Sequence, residues 1–306
     1  MNNKKRLFSL FVVLCLVVTM VVPTTVWADT KSDDIVILYT NDVHTYINKD
    51  ASYDVLASMK KQLETEYNYV YLVDAGDHIQ GTAYGSMDKG ETIIDLMNAT
   101  GYDVATLGNH EFDYGMEGRI KVTDTWAAFP YISCNFFKLE DGVRTDTVLD
   151  AVKEFSAGAW DIKFVGITTP ESYTKTTPAY FQDGSGNYIY DIAGGTDGQD
   201  LYDTVQNAIG TPDSNDIVIA LGHLGDDPAS KPWTSEELIA NVGGLDAFID
   251  GHSHSKVEGK YVKDKDGNDV VLTQTGEYFG NIGVMKIDNT TGEITTELVK
   301  GADAAT

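Results

Sequence analysis

The chain has 306 residues, 42% hydrophobic and 23% charged, which suits one large globular domain or two small ones with a substantial core. Its formal charge of −25 argues against nucleic-acid duplexes and anionic membrane surfaces as partners. Beyond residue 28 the only arginines are Arg119 and Arg144, so an arginine clamp for a phosphate is excluded as well.

The N-terminus reads as an export signal. A basic MNNKKR stretch precedes an apolar run from Leu7 to Val22, then TTVWA, a small-residue cleavage pattern ending at Ala28. The apolar run is shorter than the ~20 residues that a spanning helix needs. Residues 1–28 are therefore expected to be a signal peptide, residues 29–306 the working domain, and the protein secreted or associated with the cell envelope. Removing the signal takes Cys15 and leaves Cys134 alone. No internal disulfide is then possible, and Cys134 in YISCNF reads as a small core residue.

Strands and helices then alternate. DIVILYT (Asp34 to Thr40) reads as a buried strand, and Tyr53 to Glu66 as a helix with Val55, Leu56, Met59 and Leu63 on one face. YVYLVDA is a strand, ETIIDLMNAT a helix ended by Gly101, and DVATL a strand. A helix is expected to end over Thr123 to Ala128, before Pro130. YISCN and IKFVGIT are strands. Tyr173 to Gln199 reads as an extended loop or a substrate-side insertion. A helix from about Asp200 to Ile209, the strand DIVIALG, the helix SEELIANV and the short strand DAFIDG follow. From Tyr261 onward the turn signals DKDGN and NTTGE predict hairpins. Strands alternating with helices and then hairpins imply an α/β sandwich with packed sheets.

Five polar clusters each follow an apolar strand: NDVH, GDHIQG, GNHEFD, GHLG and DGHSH. All six histidines of the chain fall in them: His44, His78, His110, His223, His252 and His254. Ligand sites in α/β sheets lie outside the carboxyl ends of strands, so these loops are expected on one rim. Asp, Asn and His together suit Zn, Mn, Fe or Co. The candidates outnumber the ligands of one tetrahedral site, so two divalent transition-metal ions sharing a carboxylate are expected.

In this order the five motifs resemble the calcineurin-like metallophosphoesterases, and within them the catalytic domain of the 5′-nucleotidase and 2′,3′-cyclic-nucleotide phosphodiesterase family. The resemblance runs from about Asp34 to Asp288. It implies a four-layer α/β/β/α sandwich. It also implies that Asp42, His44 and His254 hold one metal, Asp77 bridges, and Asn109, His223 and His252 hold the second. Some relatives carry Gln where this chain has His254. His110 is implied to face the substrate phosphate beside Asn109 and to assist catalysis, oriented by Asp113, which otherwise reads as a helix N-cap. Glu111 reads as structural, and His78 as supporting or substrate-facing rather than a ligand.

The family's C-terminal nucleotide-specificity domain has no expected counterpart in residues 29–306, and no base pocket is legible. Trp126, Trp160, Trp233 and the tyrosines near Tyr173 to Tyr190 are candidates to line a substrate cleft, with core packing the stronger reading for the tryptophans. The expected activity is hydrolysis of a small phosphate ester, a nucleoside 5′-monophosphate or cyclic nucleotide, by attack of a metal-activated hydroxide. The alternative is a non-catalytic surface protein that binds nucleotide or metal with the same fold.

Overall fold

The computed structural model describes residues 30–304. The expected signal peptide lies outside the described residues. The first half runs β1 (Ser32–Thr40), α1 (Tyr53–Glu66), β2 (Tyr67–Asp74), α2 (Ala83–Asp88), α3 (Glu91–Thr100), β3 (Val104–Thr106), α4 (Gly115–Ile120) and β4 (Tyr131–Ile132). Then come β5 (Phe136–Glu140), β6 (Val143–Thr147), β7 (Val152–Ala157), β8 (Trp160–Ile167), α5 (Ser172–Lys175), β9 (Tyr190–Ile192), α6 (Gln199–Ile209), β10 (Asp216–Gly222), α7 (Ser235–Asn241) and β11 (Ala247–Ile249). Two hairpins follow, β12 (Lys256–Lys263) with β13 (Asp269–Thr275) and β14 (Asn281–Ile287) with β15 (Ile294–Lys300), and then a short helix, Gly301–Ala304.

These strands build two six-stranded sheets, in the orders β15-β14-β1-β2-β3-β4 and β12-β13-β11-β10-β8-β7. The interior of each is parallel, β1 to β4 in the first and β8, β10, β11 and β13 in the second. Both faces of such strands are covered, so they read as continuous apolar runs. The side-chain alternation of β1 shows where each face goes. Val36 and Leu38 pack with Leu56 of α1 and Ile93, Ile94 and Met97 of α3. Ile35, Ile37 and Tyr39 face the other way and pack with Phe164, Ile219, Leu221 and Ile249 of the second sheet. The outer face of that sheet, with Val165, Val218, Ala220 and Phe248, is covered by Leu201 and Val205 of α6 and Leu238 and Ile239 of α7. Three apolar interfaces therefore separate four layers, α/β/β/α, as expected. Tyr39 pins the two sheets by a hydroxyl contact of 2.6 Å with Thr273. A Cβ on Gly283 would lie 2.0 Å from the Tyr39 ring, so only glycine lets that ring lie across β14.

The expected boundaries of α1, α3 and β10 match the structure, but several other elements differ. The strand YISCN shortens to Tyr131–Ile132, and Cys134 is buried beyond it, burial pushing its thiol up to about 12. The helix expected to end near Ala128 is α4 followed by a π-helical turn, Lys121–Trp126. The closing hairpins begin at Lys256, not Tyr261. Strands β5, β6 and β7 had no counterpart in the reading. They are largely polar, half-exposed segments whose ladders come from tertiary pairing rather than from an apolar run.

The stretch Tyr173 to Gln199 is more ordered than a loop. It carries a 3₁₀ turn, Pro178–Phe181, and β9, which joins β5 and β6 in a third sheet of order β6-β5-β9. Arg144 of β6 locks this unit, donating from Nε to Asp191 at 2.5 Å and from Nη1 to Asp200 at 2.7 Å. Buried Phe181 packs on Phe112 at 5.0 Å between centroids, which supports the His110 turn from below. No helix among the described residues is long and apolar enough to cross a membrane.

Candidate metal centre and active site

All five histidine-bearing loops leave the carboxyl ends of parallel strands: β1, β2 and β3 of one sheet, β10 and β11 of the other. Packing the sheets face to face brings these ends together. The turns are sharp enough that Asp42, His44, Asp77, His252 and His254 all take the left-handed region, with φ of 49°, 49°, 60°, 80° and 56°. Each such non-glycine residue costs on the order of 1–3 kcal/mol and persists where its surroundings over-determine it. Glu111 is one determinant. Its buried carboxylate accepts the backbone N–H groups of Asp77 (2.9 Å), His78 (3.0 Å) and Gly108 (2.7 Å), tying the Asp77 and Asn109 loops together. A Cβ on Gly108 would lie 2.2 Å from Oδ1 of Asp77, so this approach requires glycine.

Six of the seven expected ligands form two neighbouring groups. In one, Asp42, His44 and His254 converge; in the other, Asp77, His223 and His252 do. His44 also lies beside Asp77 and His110. The four histidines of these two groups each have one ring nitrogen committed to an acceptor outside the centre. Nδ1–H of His44 donates to the Gln80 carbonyl at 3.0 Å, and that of His223 to the Ala75 carbonyl at 2.6 Å. His254 uses Nδ1–H on the Glu277 carboxylate, and His252 uses Nε2–H on Oε2 of Glu171 at 2.7 Å. The remaining nitrogen of each ring is a lone pair available to a cation.

Nε2 of His44 and Nε2 of His254 lie 3.1 Å apart, and 3.8 and 3.3 Å from Oδ1 of Asp42. With both Nδ1 protons engaged elsewhere, two lone pairs and a carboxylate oxygen face one point. In the second group, Nε2 of His223 lies 3.0 Å from Oδ2 of Asp77, and both it and Oδ1 of Asn109 are buried without a hydrogen-bond partner. Unpartnered buried acceptors cost roughly 1–3 kcal/mol each, and a shared cation satisfies them together. Without a cation a proton takes that place: burial disfavours charge on both Asp77 and His223, yet their attraction outweighs it, holding Asp77 well below the usual carboxylate range and lifting His223 to about 10. The donor set, histidine nitrogens with carboxylate and amide oxygens, fits divalent transition metals.

His110 and Asp113 occupy the rim of this centre. Nδ1–H of His110 donates to Oδ2 of Asp113 at 2.6 Å, and its backbone N–H to Oδ1 of Asp77 at 2.7 Å. Its ring lies 5.1 Å from that of His44, edge to face. Burial works against its charge, but Asp113 and Asp77 overcome this and raise it to about 9. Tyr114, not Asp113, precedes α4, so the N-cap reading of Asp113 is not the one adopted. His78 is fully buried, held by Asp74 (2.8 Å) and the Tyr131 hydroxyl (2.7 Å), and faces the interior rather than a substrate. The three tryptophans pack against the three apolar interfaces, and the Tyr173 hydroxyl is used within the third sheet by Asp191 and Ile192.

Sequence reasoning passed over Glu171, Glu277 and Asp250. Glu171 follows β8 and Glu277 follows β13, at the same ends of parallel strands as the histidines. The strand-end rule applied to every polar loop, rather than to histidine loops alone, reaches them. Asp250 is buried at the end of β11 and accepts the N–H groups of Leu224 and Gly225, which positions the His223 loop.

The profile of the calcineurin-like phosphoesterase family matches residues 35–256. Among curated relatives, the chain is similar to a snake venom 5′-nucleotidase of Gloydius brevicauda, 28% identical over 288 residues, spanning 83% of this chain and 45% of the relative. The chain thus spans about half the length of such relatives. Among solved structures it is similar to a 5′-nucleotidase precursor of Thermus thermophilus, with a TM-score of 0.69, 19% identity, and coverage of 87% of this chain and 54% of that one. It is also similar to the calcineurin-like phosphoesterase YfkN of Bacillus subtilis, with a TM-score of 0.67, 20% identity and coverage of 89% and 92%. At these identities the structural neighbours speak for the fold, and the profile match speaks for the family. The chain belongs to the calcineurin-like phosphoesterases, a family of metal-dependent phosphoric ester hydrolases.

Proposed function

We propose that this protein is an exported dinuclear-metal phosphoesterase acting on small phosphate esters, nucleoside 5′-monophosphates or cyclic nucleotides foremost. The observation that carries this reading is the facing lone pairs. His44 Nε2 and His254 Nε2, 3.1 Å apart beside Asp42, meet a second group through Asp77, where His223 Nε2 and Asn109 Oδ1 are buried without partners. Asp42, His44 and His254 would hold the first cation and Asn109, His223 and His252 the second, with Asp77 shared between them. Zn, Mn, Fe and Co all suit these donors. When bound, such a pair polarises phosphoryl oxygens and lowers the pKa of a bound water.

The chain's own residues supply the rest. Asp113 fixes the His110 ring through Nδ1, so Nε2 presents its proton to the phosphoryl or leaving oxygen. Asn109 contributes a neutral oxygen where a carboxylate would repel the substrate phosphate. Glu111 holds the Asn109 loop in register, and Glu171 holds the His252 ring. Residues 29–306 act as the catalytic domain, and residues 1–28 direct export, in keeping with the basic and apolar pattern there and with a relative found in venom. The nucleotide reading rests on the names of the relatives and on the family.

The test is a substrate panel on the metal-reconstituted protein, with products identified and metal counted. Turnover of nucleoside monophosphates, cyclic nucleotides or aryl phosphates, with about two metals per chain, is the expected result. Full metal loading with nucleotide binding and no turnover of any ester overturns the catalytic reading.

A further inference from the structure

Beside the centre lies a group of side chains that the chemistry above does not use. Tyr278 follows Glu277, and its backbone takes φ of 57°, with Phe279 next to it at 58°. Two successive left-handed residues, neither glycine, are uncommon, and a bulky aromatic there is strained. The strain is held from three sides. The Tyr278 N–H donates to the Asp42 carbonyl at 2.9 Å, Glu277 receives His254, and buried Phe279 packs edge-on against Tyr53 at 5.0 Å. The result is that the Tyr278 ring stands at the mouth of the centre, 5.7 Å from the His44 ring and 5.8 Å from the His254 ring.

Tyr278 does not stand alone. Tyr46, from the loop that carries His44, lies 4.2 Å from it between centroids, at 34°. Exposed Lys49 places its ammonium 4.6 Å from the Tyr278 centroid and 5.4 Å from that of Tyr46. In a chain of charge −25, Lys49 makes no ion pair with a carboxylate among the described residues and lies instead on two aromatic rings. Both tyrosines are only partly buried. The two arginines of the described residues are engaged elsewhere, Arg144 in the third sheet and Arg119 in the interior.

We propose that Tyr46, Tyr278 and Lys49 form a subsite for the organic part of the ester, specifically a flat aromatic group such as a nucleobase or aryl ring. The proposal rests on the phosphoesterase reading above, because it assumes that the phosphate binds at the neighbouring centre. A tyrosine face that attracts an ammonium also stacks a planar ring, and it does so with little regard to which base is offered. Lys49, exposed on a flexible stem, can yield the ring face and remain beside the polar edge of the group that takes its place. The strained backbone at Tyr278 has an evident use on this account: it projects a ring toward the substrate from a residue tied to the metal ligands.

The test compares AMP with glycerol 1-phosphate, which has the same phosphate and no ring, on metal-reconstituted wild type, Tyr278→Ala and Tyr46→Ala. Tyr46 touches neither His44 nor His254 in a ring contact, so its variant guards against an indirect effect on the ligands. The expected result is that the ratio of kcat/KM for AMP to that for glycerol 1-phosphate falls about tenfold in each variant, mainly through KM. A ratio unchanged to within about twofold in both variants overturns the subsite. Equilibrium binding of adenosine, which lacks a phosphate, gives a readout independent of turnover: wild type should bind it and both variants lose that binding. If wild type binds adenosine but hydrolyses no ester, the phosphoesterase reading fails and the subsite stands. If wild type hydrolyses AMP but adenosine binding is absent or insensitive to both tyrosines, the subsite fails and the phosphoesterase reading stands.

Discussion

His252 donates its Nε2 proton to Glu171 across 2.7 Å, and this single contact decides which nitrogen of the ring faces the candidate metal centre. Glu171 also accepts from the Ser230 hydroxyl at 2.8 Å, and donation from His252 holds its carboxyl down to about 2. A carboxylate so placed stays charged and keeps the imidazole in one tautomer. Glu171→Ala is expected to weaken the second metal by roughly 10–100-fold, the usual cost of losing such a partner, while the first metal is retained. Glu171→Gln, which can still accept, should recover part of it. Metal titration with two resolved sites checks both, and an unchanged second site in Glu171→Ala would count against the role of His252.

His110 and Asn109 are neighbours with different expected roles. His110→Asn should cut turnover by ~10²–10⁴, the range for lost acid–base assistance, with metal content near that of wild type. Asn109→Ala should instead lower occupancy of the second metal. Metal analysis beside steady-state kinetics separates the two. The reverse pattern would exchange the roles.

Removal of metal by chelation is expected to abolish activity and to lower the melting temperature. Without cations, the lone pairs of His44 and His254 face each other and the buried acceptors of Asn109 and His223 stay unpaired. Calorimetry on verified metal-free protein checks this, and an unchanged melting temperature would be hard to reconcile with the site.

The third sheet offers a pH test away from the centre. Hydrogen bonding to the Arg144 guanidinium holds the Asp200 carboxyl below its ordinary value. A carboxyl lowered on folding contributes stability above its unfolded pKa, near 4, and that contribution is lost as pH falls through the folded value. Both side chains are about a third exposed, so the pair is worth about 0.2–1 kcal/mol. Arg144→Met should be less stable than wild type at pH 6, and the gap should close below about pH 4. Urea unfolding at a series of pH values measures it. A gap independent of pH would assign the loss to packing on Phe137 instead.

Base selectivity is expected to be weak. Phosphate on metal is common to all nucleotides, and stacking on tyrosine tolerates every base. AMP, GMP, CMP and UMP should show kcat/KM values within roughly tenfold of one another, and a simple aryl phosphate should compete well. A preference of about a hundredfold for one base would mean that hydrogen-bonding groups outside the tyrosine pair read the base edge.

The sequence by itself determined the parallel strands, the principal helices and the strand-end loops that carry the histidines, because those signals are local. An apolar run such as DIVIALG is buried on both faces wherever it folds, and a polar residue placed just beyond it must sit at a strand end. The family motifs then assigned the ligands to two groups. Other features were decided only by the packing of one sheet on the other. That packing brought Glu171 to His252 and Glu277 to His254, and it set which ring nitrogen of each histidine faces inward. It also carried Tyr278 to Tyr46 and paired the polar segments β5, β6 and β7 into ladders. None of these contacts has a periodic or compositional mark, since each joins residues far apart in the chain whose approach depends on how whole layers stack. Asp113 shows the boundary between the two kinds of information. The family resemblance implied an orienting partner and the following GMEGRI a helix cap; the structure has a 2.6 Å contact with Nδ1 of His110, with Tyr114 taking the position before α4.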